Sequence, residues 1–217
     1  IVYHVAHAAI GESITGRYRH GDAEVIDGTC ELLNAALGSR DRGVTLLLEN
    51  LWAPGLTFTD PAMTRRLMDG VDYPNKGIML DTGHLMHTNR SLRSEKEAID
   101  YIHAMVDAHG DMAGWVKGMH LNCSLTGAYH QGVLDDPPPL EADYWRRYGQ
   151  LFDHIFKVDT HQLFTSPAVG DLVRRIDPLY LTFEMISRNN EQLKAMLATQ
   201  GAALAAAIID SARGMGA

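Results

Sequence analysis

Five short apolar runs recur along the chain, each closing on an ionisable residue: Ile1 to His7, Val44 to Glu49, Gly77 to Asp81, Trp115 to His120 and Leu179 to Glu184. None alternates apolar with polar, the pattern of strands buried on both faces of a parallel sheet. Between them the spacing turns helical. Asp22 to Leu37 carries Val25, Ile26, Cys30, Leu33 and Leu37 on one face. Asp60-Pro61 is an N-cap with proline at the first helical position, opening a helix through Met68. Ser94-Glu95-Lys96-Glu97 reads as a capping box ahead of Ala98, Ile99, Ile102, Met105 and Val106. Ser166-Pro167 starts a helix through Ile176, and an Ala-rich helix from Asn190 to Ser211 closes the chain. Strands alternating with helices predict βαβ units.

Residues 125–158 break that rhythm. Pro137-Pro138-Pro139 interrupts them, and Tyr144, Trp145, Tyr148, Leu151, Phe152 and Ile155 then form an amphipathic stripe. We read 125–158 as an excursion inserted after the fourth strand, within one domain spanning 1–217. The stripe has two competing uses: a lid over the active mouth, or a contact with a second subunit in a homo-oligomer. The chain begins inside a strand pattern, without an initiator methionine, a basic leader or a small-residue cleavage site, so further sequence upstream of Ile1 is expected.

Composition narrows the classes. Hydrophobic residues make up 46% and charged residues 21%, enough for a sizeable core and too apolar for disorder. The longest apolar run, Ala202 to Ile209, is far short of the roughly 20 residues of a membrane helix. A formal net charge of -8 argues against a broad nucleic-acid-binding surface. Two cysteines, Cys30 and Cys123, make no disulfide framework, so a reducing, cytoplasmic setting is the default. Eleven histidines are a rich supply of imidazole.

The ends of the strands carry the chemistry. They deliver Glu49, Asp81, His120 and Glu184 in turn, with His4 or His7 on the first strand. In a parallel barrel all these ends meet at the face that holds active sites. Three carboxylates gathered in a buried mouth repel one another and lose hydration, and a divalent cation (Mn, Mg, Co, Fe or Zn) relieves both. Each residue has an ordinary alternative. Glu49 and Glu184 can be paired strand-end acids, Asp81-Thr82-Gly83-His84 an Asx-turn, and His120 a satisfied core histidine. If 156–163 is extended, Asp159 and His161 point the same way, which is metal-ligand spacing; a turn aspartate beside a solvated histidine is the alternative.

Taken together, Leu-Leu-Glu49-Asn, Leu-Asp81-Thr-Gly-His84, Met-His120-Leu-Asn and Thr-Phe-Glu184 resemble the xylose isomerase-like TIM-barrel superfamily over essentially the whole chain. That group holds sugar isomerases and epimerases and the endonuclease IV type of apurinic-site endonuclease. The resemblance implies a (β/α)8 barrel. In the epimerases, residues matching Glu49, Asp81, His120 and Glu184 hold one Mn-type ion. There the two glutamates serve as acid/base catalysts, and the histidine matching His84 touches substrate. The endonucleases extend the set to three zinc ions. Asp159-x-His161 matches their added pair, His84 is a ligand, and His4, with His7 as the alternative, matches a further histidine. There are two departures. The excursion before Asp159 is long. A barrel of this type also has eight strands and about 250 residues. Five strand ends and an atypical extra strand near Asp159 are present, so the first two or three βα units, with one zinc-ligand histidine, are expected outside this chain.

Charge favours a metal-dependent isomerase or epimerase of a small sugar or sugar derivative, working through an enediolate, with Glu49 and Glu184 moving the proton and His84 orienting a hydroxyl. A multi-zinc phosphodiester hydrolase is the alternative. Its nearby phosphate contacts would be Arg17 and Arg19, or Arg90 and Arg93, which read as solvated faces. A barrel that binds metal or sugar without turnover is the third reading.

Overall fold

The apolar runs form five parallel strands, β1 (Val2–His4), β2 (Leu46–Glu49), β3 (Lys76–Asp81), β4 (Val116–His120) and β5 (Tyr180–Thr182), lying side by side in chain order. This computed structural model describes the backbone of residues 1–214 and the side chains of residues 1–206. The helices are α1 (Ile10–Thr15), α2 (Asp22–Leu37), α3 (Pro61–Gly70), α4 (Thr82–His87), α5 (Glu95–His109), α6 (Gly127–Asp135), α7 (Tyr144–Val158), α8 (Ala168–Ile176) and α9 (Asn190–Gly214).

Burial explains the unbroken apolar runs. Every residue of β2 is buried, as are five of the six in β3, so neither face of the sheet meets water there. Ile26 and Leu33 of α2, Leu67 of α3 and Ile99, Ile102 and Val106 of α5 pack with these strands into one hydrophobic cluster. The outer strands differ: β5 is exposed along its length, and Val2 of β1 is exposed. Among the described residues the free edges of β1 and β5 have no strand partner.

Register decides which residues meet. His4 lies opposite Glu49, and Asp81 opposite His120. Glu49, by contrast, lies opposite Met79, two residues short of Asp81, giving the stagger that curves a barrel. A bulge interrupts β3–β4: Ile78 pairs with Val116 and Met79 with Gly118, which leaves Lys117 as an extra residue on β4.

The capping signals hold with small shifts. Asp60 accepts from the Ala62 amide, and Ser94 accepts from the Glu97 amide. The Glu97 carboxylate, however, accepts from the Arg93 amide, one residue before the partner a capping box requires. The excursion folds into α6 and α7, with the prolines between them, and both pack against α1. The extended segment expected around Asp159 is absent. Residues 156–158 finish α7, Asp159 is its C-cap, and His161 is left-handed with φ 45°. An isolated bridge between Cys123 and Gln162 stands where an extra strand was expected.

Candidate metal centre

Each carboxylate of the mouth arrives because its strand ends there. Glu49 follows three leucines on β2 and is 2% exposed; Asp81 ends β3 and is 0% exposed. Asp81 also caps α4, its Oδ1 accepting from the His84 amide at 2.7 Å. His120, at the end of β4, turns Nδ1 into the cluster. That nitrogen donates to Glu49 Oε1 at 2.8 Å and lies 3.2 Å from Glu184 Oε2 and 3.8 Å from Asp81 Oδ2. Glu184 sits two residues past β5, with its side chain 40% exposed. Glu49, Asp81, His120 and Glu184 each place one ligand atom within 4.8 Å of the others.

Two asparagines anchor this group. Asn122 Nδ2 donates to Asp81 Oδ2 at 2.9 Å, and Asn50 bonds both backbone groups of Asp81, at 2.8 and 3.1 Å. Neither was singled out from the sequence, although each follows a strand-end ligand in the motifs Glu49-Asn50 and His120-Leu121-Asn122.

A second group lies beside the first. His84 Nε2 and His161 Nε2 approach Asp159 Oδ2 at 3.2 and 2.6 Å, and the three residues meet the same 4.8 Å criterion. The other ring nitrogen of each histidine is anchored: Nδ1 of His84 donates to the Asn50 carbonyl at 2.9 Å, and Nδ1 of His161 to the Glu184 carbonyl at 3.0 Å. Tethering Nδ1–H to a carbonyl turns Nε2 of each ring toward Asp159, where a cation that displaces the Nε2 proton meets a lone pair, the arrangement of metal-binding histidines. His4, Glu49 and His84 form a third such group, His4 Nε2 lying 3.1 Å from Glu49 Oε2 with its side chain 59% exposed. His7, the alternative to His4, takes no part: its ring packs 5.7 Å from that of His20, in a separate cavity beside α2.

The electrostatics follow from crowding charge in a dry place. Burial works to raise Glu49, but hydrogen bonds from His120 and His4 outweigh it and hold the carboxyl at about 2. Asp81 is pushed up to about 6, mainly by burial, with the His84 charge opposing. Burial works against the charged forms of His84 and His120, yet Asp81 and Asp159 around one, and Glu184 and Glu49 around the other, lift both to about 10. Protons on these rings balance the carboxylates. A divalent cation does the same with more charge, and the donor set of carboxylate oxygens and imidazole nitrogens suits it.

Above the ligands opens a cavity of about 560 Å³. His4, His84, Asp159, His161 and Glu184 face it, and Tyr18, Trp52, Phe152 and Ile155 help to wall it. No lysine or arginine is among its described lining residues. Trp52 stands edge-on to His84 and His87, with ring centroids 5.2 and 4.8 Å apart. Three of the four arginines considered as phosphate contacts are occupied: Arg90 donates to Gln131, Arg93 to the carbonyls of Arg90 and Leu92, and Arg19 pairs with Glu12. The aromatic stripe divides. Phe152 and Ile155 reach the cavity, while Tyr144, Trp145 and Tyr148 are exposed.

A family model described as xylose isomerase-like TIM barrel matches residues 2–191. No curated protein matches the chain. No described helix is long and apolar enough to cross a membrane.

Proposed function

The chain belongs to the xylose isomerase-like TIM barrel family, and on that premise we propose that it is a divalent-metal-dependent isomerase or epimerase of a small sugar or sugar derivative. The supporting observation is the cavity: sized for a small molecule, lined by ligand groups and, among its described lining residues, without a lysine or arginine. A polyanion would find no lysine or arginine among the described lining residues.

Glu49, Asp81, His120 and Glu184 would hold one cation, and His84, Asp159 and His161 offer a place for a second. A bound divalent ion supplies Lewis acidity for adjacent substrate oxygens and for the charge of an enediolate. The residues do the rest. Of the two glutamates only Glu184 lines the cavity, and its carboxyl is held below the ordinary range, first by its hydrogen bond with His120. It is therefore ionised at neutral pH and in reach of a substrate C–H, which makes it the proton acceptor. Glu49, buried and doubly bonded to histidines, stays a ligand. Tyr18 and Trp52 present faces against which a sugar ring can pack, and α7 keeps water from the mouth through Phe152 and Ile155.

The test is incubation of aldoses and ketoses with Mn²⁺- or Co²⁺-loaded protein in D₂O. An enediolate route incorporates deuterium at the carbon that loses its proton, and Glu184→Gln should slow this by about 10²–10⁴-fold. A second reading, phosphoester hydrolysis, is favoured by the His84–Asp159–His161 group, because paired cations clamp phosphate well. Unchanged sugars, together with cleavage of bis(p-nitrophenyl) phosphate or abasic-site DNA, would replace the first reading by the second.

A further inference from the structure

Asp159 divides its two oxygens. Oδ2 faces the Nε2 atoms of His84 and His161, where three candidate ligand atoms converge. Oδ1 points the other way and accepts two hydrogen bonds, from His87 Nε2–H at 3.2 Å and from the Ser124 hydroxyl at 3.1 Å. His87 lies one turn after His84 on the same helix, so α4 presents one ring to each oxygen of a single carboxylate.

His87 is also costly where it stands. It is buried, and its Nδ1 has no hydrogen-bond partner. An orphaned buried nitrogen costs about 1–3 kcal/mol, so a phenylalanine-like ring would serve packing better. What the imidazole adds is the single N–H aimed at Asp159. Ser124 adds a second hold: its oxygen accepts the amides of Thr160 and His161, at 3.1 and 3.2 Å, while its hydroxyl proton goes to Asp159. It thereby fixes the left-handed turn at His161 that brings the second ring into place.

We propose that His87 and Ser124 are positioning residues for a second divalent cation, pinning Asp159 Oδ1 so that Oδ2 is presented to the ion. This rests on the two-group reading of the centre given above. Neither residue need touch the ion or the substrate.

The experiment is a Co²⁺ titration of metal-free protein, followed by calorimetry and by the visible absorption of bound cobalt. Wild type should take up two equivalents. His87→Leu keeps the volume and loses the donor; it should weaken the second equivalent by about 10–100-fold and leave the first within about threefold. His87→Gln, which restores an N–H at nearly the same reach, should recover most of that loss. Ser124→Ala should act like His87→Leu, and Ser124→Thr should preserve binding; this pair carries the test if His87→Leu fails to fold. Equal weakening of both equivalents marks a merely structural role and overturns the proposal, as does His87→Gln behaving like His87→Leu. Two equivalents in wild type with a leucine variant that binds both normally defeats this inference alone. A single equivalent in wild type overturns the two-group reading and this inference with it.

Discussion

The two ligand groups share a mouth but are built differently. Glu49, Asp81 and His120 stand on the ends of adjacent strands, held by backbone ladders that run into the buried core. His84, Asp159 and His161 come from a short helix, a helix C-cap and a left-handed turn, and side-chain hydrogen bonds reaching 34 to 72 residues along the chain align them. These three ligands of the first group are therefore as rigid as the sheet, while its fourth, Glu184, sits two residues past β5 and lines the cavity. The second is only as rigid as its supporting polar contacts, and it faces the cavity where substrate must enter.

The sharpest way to break that contrast is to remove Glu49, which both the first and the third groups use. Glu49→Gln should lower affinity for the first cation by more than the ~100-fold a supporting residue commands. In calorimetric melting it should also abolish the stabilisation that cation gives wild type, about 2.7 kcal/mol at a hundredfold excess over Kd. The second equivalent should persist. Its loss as well would show that the second group has no independence.

A change of pH probes both groups together. His84 and His120 are lifted, against burial, from 6.5 to about 10 by the carboxylates around them. The metal-free fold thus binds more protons than the unfolded chain between those values. That stabilisation is complete below pH 6.5 and is lost as pH rises through about 10. A cation on the same rings displaces those protons, so its apparent affinity should climb about tenfold per pH unit for each proton released. Titrations at pH 6, 7 and 8 check this; a flat profile would mean that the rings are neutral before the cation arrives.

The smallest effect concerns the anchoring of the first group. A Cβ at Gly83 would fall 1.9 Å from Asn122 Oδ1, forcing that amide away from Asp81. Gly83→Ala should cost about 1–3 kcal/mol, read by urea melts, and weaken the first cation more than the second. Equal weakening of both would show that the asparagine serves the whole mouth.

The same contrast explains what could be read from the chain. Strand ends announce themselves, because an acid after Leu46-Leu47-Leu48 is conspicuous and burial on both faces leaves an unbroken apolar run. The core helices and their caps followed from spacing for the same reason. The pair Asp159-x-His161 was visible as residue types but misjudged as geometry, because a helix C-cap and a positive φ leave no period to detect. Asn50 and Asn122 entered only as neighbours in the motifs, without a role, and Ser124 and His87 were not noticed. Their roles are tertiary hydrogen bonds to distant residues, and no local pattern encodes those. His87 had one available signal, its three-residue spacing from His84.

The extra residue at Lys117 has a consequence for how this sequence can vary in length. Because side chains alternate along a strand, one residue more or fewer turns every later side chain to the opposite face. The bulge absorbs one position between Val116 and Gly118, so His120 comes level with Asp81 although one more residue separates it from Val116 than separates Asp81 from Ile78. A deletion at Lys117 would thus remove only the unpaired residue and leave His120 opposite Asp81, whereas a loss from β3 between Ile78 and Asp81 would put the two ligands out of register. The centre is therefore sensitive to residue count on β3, while β4 carries one residue in reserve and can lose it without parting His120 from Asp81.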